Sequence, residues 1–279
     1  MTSKSLSSLL LACADDELVL GHRHSEWTGF APHIEEDVAF SSIAQDEIGH
    51  AANYYMLLAR LTDDDADHIA LGRDVDEYTH AVLCERPNGD WAYTLARHWL
   101  YDTADDIRLQ ALERSAHPEL AQLATKMRRE ERYHLIHADI WMKRVAHGPV
   151  EGRTKLEAGL AAAFDEAVGL FEPINLEDSA VDEGWLSIPS DEMRATFVER
   201  AGSVLDDLGL PTEVRKGLDD QAEFVASSSG DLIESASGTV ASKQRTTGVG
   251  GRRGKHTGDF EQLWGDMTKT YRTNPEASW

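Results

Sequence analysis

Two four-residue patterns in this chain could do chemistry: Glu47-Ile48-Gly49-His50 and Glu131-Arg132-Tyr133-His134. On a helix, positions i and i+3 lie on one face, so each pattern presents a carboxylate and an imidazole to the same point. One such pair is common by chance. Two of them, each deep in a long helical stretch, match the donor set of dinuclear carboxylate bundles, where two helices supply Glu-x-x-His and two supply a single carboxylate. Carboxylates with two imidazoles suit iron or manganese better than a thiolate-seeking ion.

The two further carboxylates are expected on the helices that precede each motif. Glu17 lies thirty positions before Glu47, and Asp102 twenty-nine before Glu131, the near-equality expected of two similar antiparallel helix pairs. Asp102 falls within the stripe of Trp91, Leu95, Trp99, Asp106 and Leu109, where an acid is costly to bury unless paired or metal-bound. Asp105 and Asp106 are the alternatives on that helix. Asp46 is placed to orient a ligand histidine from behind, or is a plain surface acid. Glu35, Glu36, Glu113 and Glu130 are expected to be solvated surface acids.

Apolar periodicity predicts the elements that position these groups: helices over 4–25, 34–61, 91–115, 118–146 and 152–171, with a shorter segment at 75–85. The Arg86-Pro87-Asn88-Gly89-Asp90 break lets Asp90 cap the helix that follows, and Pro118 opens the next. Further helices are expected over 190–208, 212–227 and 258–272, with a Ser/Gly/Thr-rich loop at 227–257. Almost no period-two alternation is present, so the expected fold class is all-α: a ferritin-like four-helix bundle with a fifth helix over 1–172, and C-terminal helices over 173–279 packed on the same domain.

Composition narrows the function classes. The net charge of −23, spread along the chain, excludes non-specific nucleic-acid binding because phosphate repels such a surface. Dense carboxylates also suit a high-salt environment, where salt screens their repulsion. Cys13 and Cys84 are the only cysteines, too few for a disulfide framework or a thiolate metal site. The short apolar run 9–13 lacks a signal-peptide charge pattern, no stretch approaches a membrane span, and a cytoplasmic location is expected. The segment 248–256 is no phosphate loop, since Val249 and His256 replace the residues that motif requires. Its basic Arg252, Arg253 and Lys255 form a candidate contact for an anionic group such as a coenzyme A phosphate, or for a partner subunit; a solvated loop is the alternative.

With these residues in view, the chain resembles the phenylacetyl-CoA epoxidase (ring-1,2-epoxidase) family over most of its length. The resemblance is carried by LVLGHRHSEWTGFAP, AQDEIGHA, CERPNGDWAYTLARHWLYD, REERYHLIHADIW, and GGRRGKHTGDFEQLW with the final Trp279. The PNG-W-A, RYHL and GG-basic-G-x-HT stretches look most like the C-type subunit. The resemblance implies a di-iron oxygenase system in which a reductase passes electrons from NADPH to the irons, and oxygen is inserted across the 1,2 bond of the phenyl ring of phenylacetyl-CoA. It also implies a catalytic A-type paralogue as partner, and a C-type subunit usually structural, with an eroded ligand set. This chain departs from that pattern: Glu17, Glu47, His50, Asp102, Glu131 and His134 each match a ligand position of the catalytic paralogue. Glu47 and Glu131 would bridge, His50 and His134 would each bind one iron, and Glu17 and Asp102 would be terminal. Two other functions compete: a non-catalytic scaffold whose polar core pairs with itself, and an iron store, which the long C-terminal extension disfavours.

Overall fold

The computed structural model describes residues 3–210, 250–274 and 277, and among these every regular element is helical. Helix α1 (Lys4–Ser25) and α2 (Ile34–Thr62) form one antiparallel pair, and α5 (Trp91–Leu112) and α6 (Pro118–Ala146) a second. Contacts such as Tyr101 to Glu17 and Glu130 to His50 join α1 to α5 and α2 to α6. The result is an up-down-down-up bundle whose crossover holds α3 (Ala66–Leu71) and α4 (Val82–Glu85). The remaining helices are α7 (Val150–Val168), α8 (Glu177–Asp182), α9 (Ser190–Asp207) and α10 (Gly258–Thr273). Their apolar residues, Phe164, Phe197 and Phe260 among them, join the same hydrophobic core as the bundle.

Local chemistry sets the boundaries. The Asp90 carboxylate accepts from the Tyr93 N–H at 3.0 Å and starts α5; Pro118 stands at the first position of α6. Helix α5 is buried on nearly every face because α6, α7 and α9 pack on it and side chains of α1 reach it from the remaining side. It ends at Leu112, three residues before the expected stop, and the end of the expected 152–171 helix tightens into a 3₁₀ turn at Gly169–Phe171.

The expected segment 75–85 is not one helix. A 3₁₀ turn at Val75–Glu77 gives way to extended chain before α4. The Thr79 N–H donates to Asp15 at 2.7 Å and the Ala81 N–H to Asp16 at 2.8 Å, so two buried carboxylates take backbone donors a helix would use itself. The short α3 and α8 had no clear periodic signal. The expected helix 212–227 and most of the loop 227–257 lie outside the described residues; its end, 250–257, contains a 3₁₀ turn at Gly251–Arg253.

Candidate metal centre

All six expected donors are buried, each with no more than 4% exposure, at the centre where α1, α2, α5 and α6 meet. Glu17, His50 and Glu131 place donor atoms within 4.8 Å of one another. His50 Nδ1 is 3.4 Å from Glu17 Oε2 and 3.2 Å from Glu131 Oε1, and His134 Nδ1 is 3.1 Å from the same Glu131 oxygen. Glu47 and Asp102 have other direct neighbours. Glu47 Oε2 shares a hydrogen bond with His24 Nδ1 at 2.9 Å, and Asp102 Oδ2 lies 3.2 Å from His98 Nδ1 without hydrogen-bond alignment. Both still feel the charges of Glu17, Glu131 and His134.

Helix packing brings these groups close. A Cβ on Gly21 would stand 2.8 Å from Ile48 Cγ1 and 3.2 Å from Glu47 Cβ, so the bare glycine lets α1 and α2 close at the first motif. The backs of the ligand histidines are also held. His50 Nε2 meets Glu130 at 2.9 Å and His134 Nε2 meets Asp46 at 3.3 Å, leaving both Nδ1 atoms turned to the centre. A metal-binding imidazole uses this arrangement: one nitrogen toward the ion, the other donating to a carboxylate that fixes tautomer and ring orientation. Asp46 thus meets His134 from behind while its own side chain stays half exposed. Glu130 does not stay a merely solvated acid, because the α2–α6 seam brings it onto His50. Glu36 likewise pairs with His137, at 2.8 Å, while Glu113 pairs with Arg128 and Glu35 is exposed.

Charge balance at the centre comes from protons and one guanidinium. Burial pulls the His50 imidazole down, but Glu131 and Glu17 outweigh it and hold it at about 11. Burial likewise opposes the His134 imidazolium, and Glu131 and Asp46 raise it well above the ordinary value. Burial pushes Glu131 up, but His134 and His50 bring it below the usual carboxylate range. Burial drives Glu47 and Asp102 well above that range, so both hold protons. Glu17 is met from outside by Tyr101 Oη, donating at 2.8 Å, and by Arg108 Nη2 at 3.2 Å.

The residues present fit a metal. Glu17 Oε2, Glu47 Oε1, both oxygens of Asp102, both of Glu131, and His134 Nδ1 are buried without a hydrogen-bond partner. An orphan buried polar atom costs about 1–3 kcal/mol, and here such atoms gather on five of the six donors. A cation at the centre would satisfy them together. Of the alternatives, Asp105 is buried and pairs with Arg108, whereas Asp106 turns to Arg128 and Arg200.

The sequence reading missed His24, His98, His137 and Arg108. The histidines had a signal: His24 stands seven residues after Glu17, His98 four before Asp102, and His137 three after His134, all helical-face spacings. Arg108 had none, because its role depends on α5 facing α1.

The basic tail requires a correction. Arg252 lies inside the fold, 3% exposed, with Nη1 and Nη2 donating to Asp16 at 2.8 and 2.7 Å and Nη2 to the Leu170 carbonyl. It balances a carboxylate that Arg108 also pairs, and does not face an external ligand. Arg253 and Lys255 are exposed.

Comparison with known proteins agrees with this architecture. A family profile described as phenylacetic acid catabolic protein matches residues 1–224. The chain belongs to that family. It is also 27% identical over 275 residues to the C subunit of the 1,2-phenylacetyl-CoA epoxidase of Escherichia coli (strain K12), covering 98% of this chain and 99% of that protein. For this family member, the match extends beyond the bundle through the C-terminal helices. Among the described residues, no helix is long and apolar enough to cross a membrane.

Proposed function

We propose that this chain is a C-type subunit of a multicomponent phenylacetyl-CoA 1,2-epoxidase in aerobic phenylacetate catabolism, and that Glu17, Glu47, His50, Asp102, Glu131 and His134 hold its carboxylate-bridged di-iron centre. Its near end-to-end similarity to the Escherichia coli protein supports the assignment. The observation that carries the metal reading is the set of orphaned oxygens on four helices, aimed where two oriented imidazoles also point. A bound iron pair supplies activation of dioxygen with electrons delivered from NADPH by a separate reductase subunit. The chain's own residues do the rest. Glu130 and Asp46 fix the ligand imidazoles, His24 holds Glu47, and Phe40, Trp91 and Trp141 form an aromatic wall beside His24 and His98. Working partners are then a paralogous catalytic subunit and the reductase, in the cytoplasm. Arg253 and Lys255 are the exposed basic contacts left for the phosphates of the acyl-CoA or for a neighbouring subunit.

One observation favours a second reading, a structural subunit that stabilises the catalytic paralogue. Arg108 already neutralises part of the Glu17 carboxylate, as in a self-paired polar core. Iron content separates the two. Anaerobic loading with Fe(II) should give two irons per chain that are lost in Glu47→Ala and Glu131→Ala, apart from any bound elsewhere in the fold; a chain whose iron uptake those substitutions leave unchanged would refute the di-iron reading. Co-expression with the catalytic paralogue, with Glu131→Ala placed in this chain alone, then tests turnover. Unchanged epoxidation would make the site structural.

A further inference from the structure

A second cluster of donors lies away from the bundle centre, where the C-terminal segment docks on the crossover. His80 comes from the extended chain before α4, Glu85 from α4 and His256 from the approach to α10. Their side chains are 0%, 0% and 1% exposed. His80 Nε2 and His256 Nδ1 each lie 2.9 Å from the same atom, Glu85 Oε2, and the three donor atoms lie within 4.8 Å of one another. We propose that His80, Glu85 and His256 form a mononuclear site for a divalent first-row ion of the zinc class, which fastens the C-terminal segment to the crossover.

Four features support it. First, two of the three donors are oriented from behind, while His80 Nδ1 is buried without a hydrogen-bond partner. His256 Nε2 donates to the Tyr78 carbonyl at 2.9 Å, the backbone-carbonyl partner typical of a ligand imidazole. Glu85 Oε1 accepts from the Thr257 N–H at 2.8 Å and the Thr257 hydroxyl at 2.6 Å, which fixes the carboxylate and turns Oε2 inward. Second, two imidazoles and one carboxylate form a donor set that zinc and Fe(II) use, and one that calcium and magnesium do not prefer. Third, the site is enclosed: the two imidazoles stack with centroids 4.0 Å apart, and Phe260 packs against both rings.

Fourth, close backbone contact holds the tail where His256 reaches. A Cβ on Gly251 would meet the His80 carbonyl oxygen at 2.2 Å, and one on Gly254, whose φ is +70°, would meet the Asp76 carbonyl oxygen at 2.0 Å. The alternative is a purely hydrogen-bonded clasp. Since Tyr78 O can only accept, His256 would then carry protons on both nitrogens, and both imidazoles would donate to one carboxylate oxygen.

The two readings separate in a Co(II) titration of the full chain carrying Glu47→Ala and Glu131→Ala, which silence the bundle centre. The metal site predicts one saturable equivalent with visible d–d absorption, displaced by Zn(II). Zn(II) should also raise the melting temperature by a few degrees. Adding His80→Gln, which leaves the His256–Tyr78 contact in place, should abolish both effects while far-UV circular dichroism stays helical. His256→Gln is the substitute if that variant does not fold. Absence of saturable Co(II) binding in the parent overturns the proposal, as does binding that survives in a folded His80→Gln or His256→Gln chain.

Discussion

The protons that balance the metal-free bundle centre set how its stability depends on pH. His50 titrates at 6.5 in an unfolded chain and at about 11 in the fold, so between those values the folded state binds the extra proton. That contribution is fully present below pH 6.5 and is lost at about 1.4 kcal/mol per unit as pH rises toward 11. Asp105, held up to about 8 from 3.8 by burial, acts in the same direction between those values, and the raised His134, Glu47 and Asp102 share its sign. Groups with depressed values do not oppose it near neutrality. Asp15, Asp16 and Glu131 are ionised in both states above about pH 5, and the buried, neutral His24 and His98 add stability only as pH climbs through about 6.5. Chelated protein should therefore lose at least about 3 kcal/mol between pH 7 and 8.5, from His50 and Asp105 alone, which at an m-value of about 3 kcal/mol/M moves the urea midpoint down by about 1 M or more. Metal-loaded protein should show a flatter or reversed dependence, because binding releases those protons. Urea unfolding followed by circular dichroism at four pH values checks this. A chelated protein as stable at pH 8.5 as at pH 7 would refute the reasoning.

Four other outcomes are expected. Asp46→Asn or Glu130→Gln should weaken Fe(II) affinity about 10- to 100-fold by freeing the backs of His134 and His50, measured by competition with a chromophoric chelator. Asp16→Asn takes the charged partner from the buried Arg252 and one of three carboxylates from Arg108, and should cost about 3–5 kcal/mol, a fall in Tm on the order of 10 °C by calorimetry. Gly21→Ala pushes α1 off α2 beside Glu47 and should cost about 1–3 kcal/mol with lowered iron occupancy, read by thermal melts and metal analysis. A chain of net charge −23 should gain stability steeply with KCl, and full stability in dilute buffer would count against adaptation to high salt.

What could be read beforehand follows from where the information lies. Helices α1 and α6 match their expected spans residue for residue, because no proline interrupts α1 and Pro118 and Gly148 bracket α6. The two Glu-x-x-His pairs were legible because their spacing is a property of single helices, and Glu17 and Asp102 through their near-equal offsets from those pairs. Pairings across helices were not. Nothing local distinguishes Glu130, which reaches His50, from Glu35, which is exposed. The crossover was misread because Asp15 and Asp16 draw the backbone N–H groups of Thr79 and Ala81 from more than sixty residues away. Arg252 sits in a basic cluster along the chain, yet in space its partner is Asp16, and three-dimensional packing alone supplies that pairing.

The neighbouring residues Asp15, Asp16 and Glu17 bear on whether the centre is a polar core or a metal site. Asp15 accepts from Tyr55, Arg73 and the Thr79 N–H, and Asp16 from Arg108, Arg252 and the Ala81 N–H. This fold therefore satisfies buried carboxylates thoroughly when it pairs them internally. Glu17, next along the same helix, is treated differently: Oε1 receives Tyr101 and Arg108, while Oε2 faces the other donors with no hydrogen bond. The same one-sided treatment recurs at Glu47, held by His24 at Oε2 and free at Oε1. A self-paired core would have no reason to finish one oxygen of Glu17 and of Glu47 and leave their other oxygens, with both oxygens of Asp102 and Glu131, without a hydrogen bond. Carboxylates anchored on one side and open on the other are what ion binding requires, and that asymmetry favours a metal over a scaffold more strongly than the count of donors does.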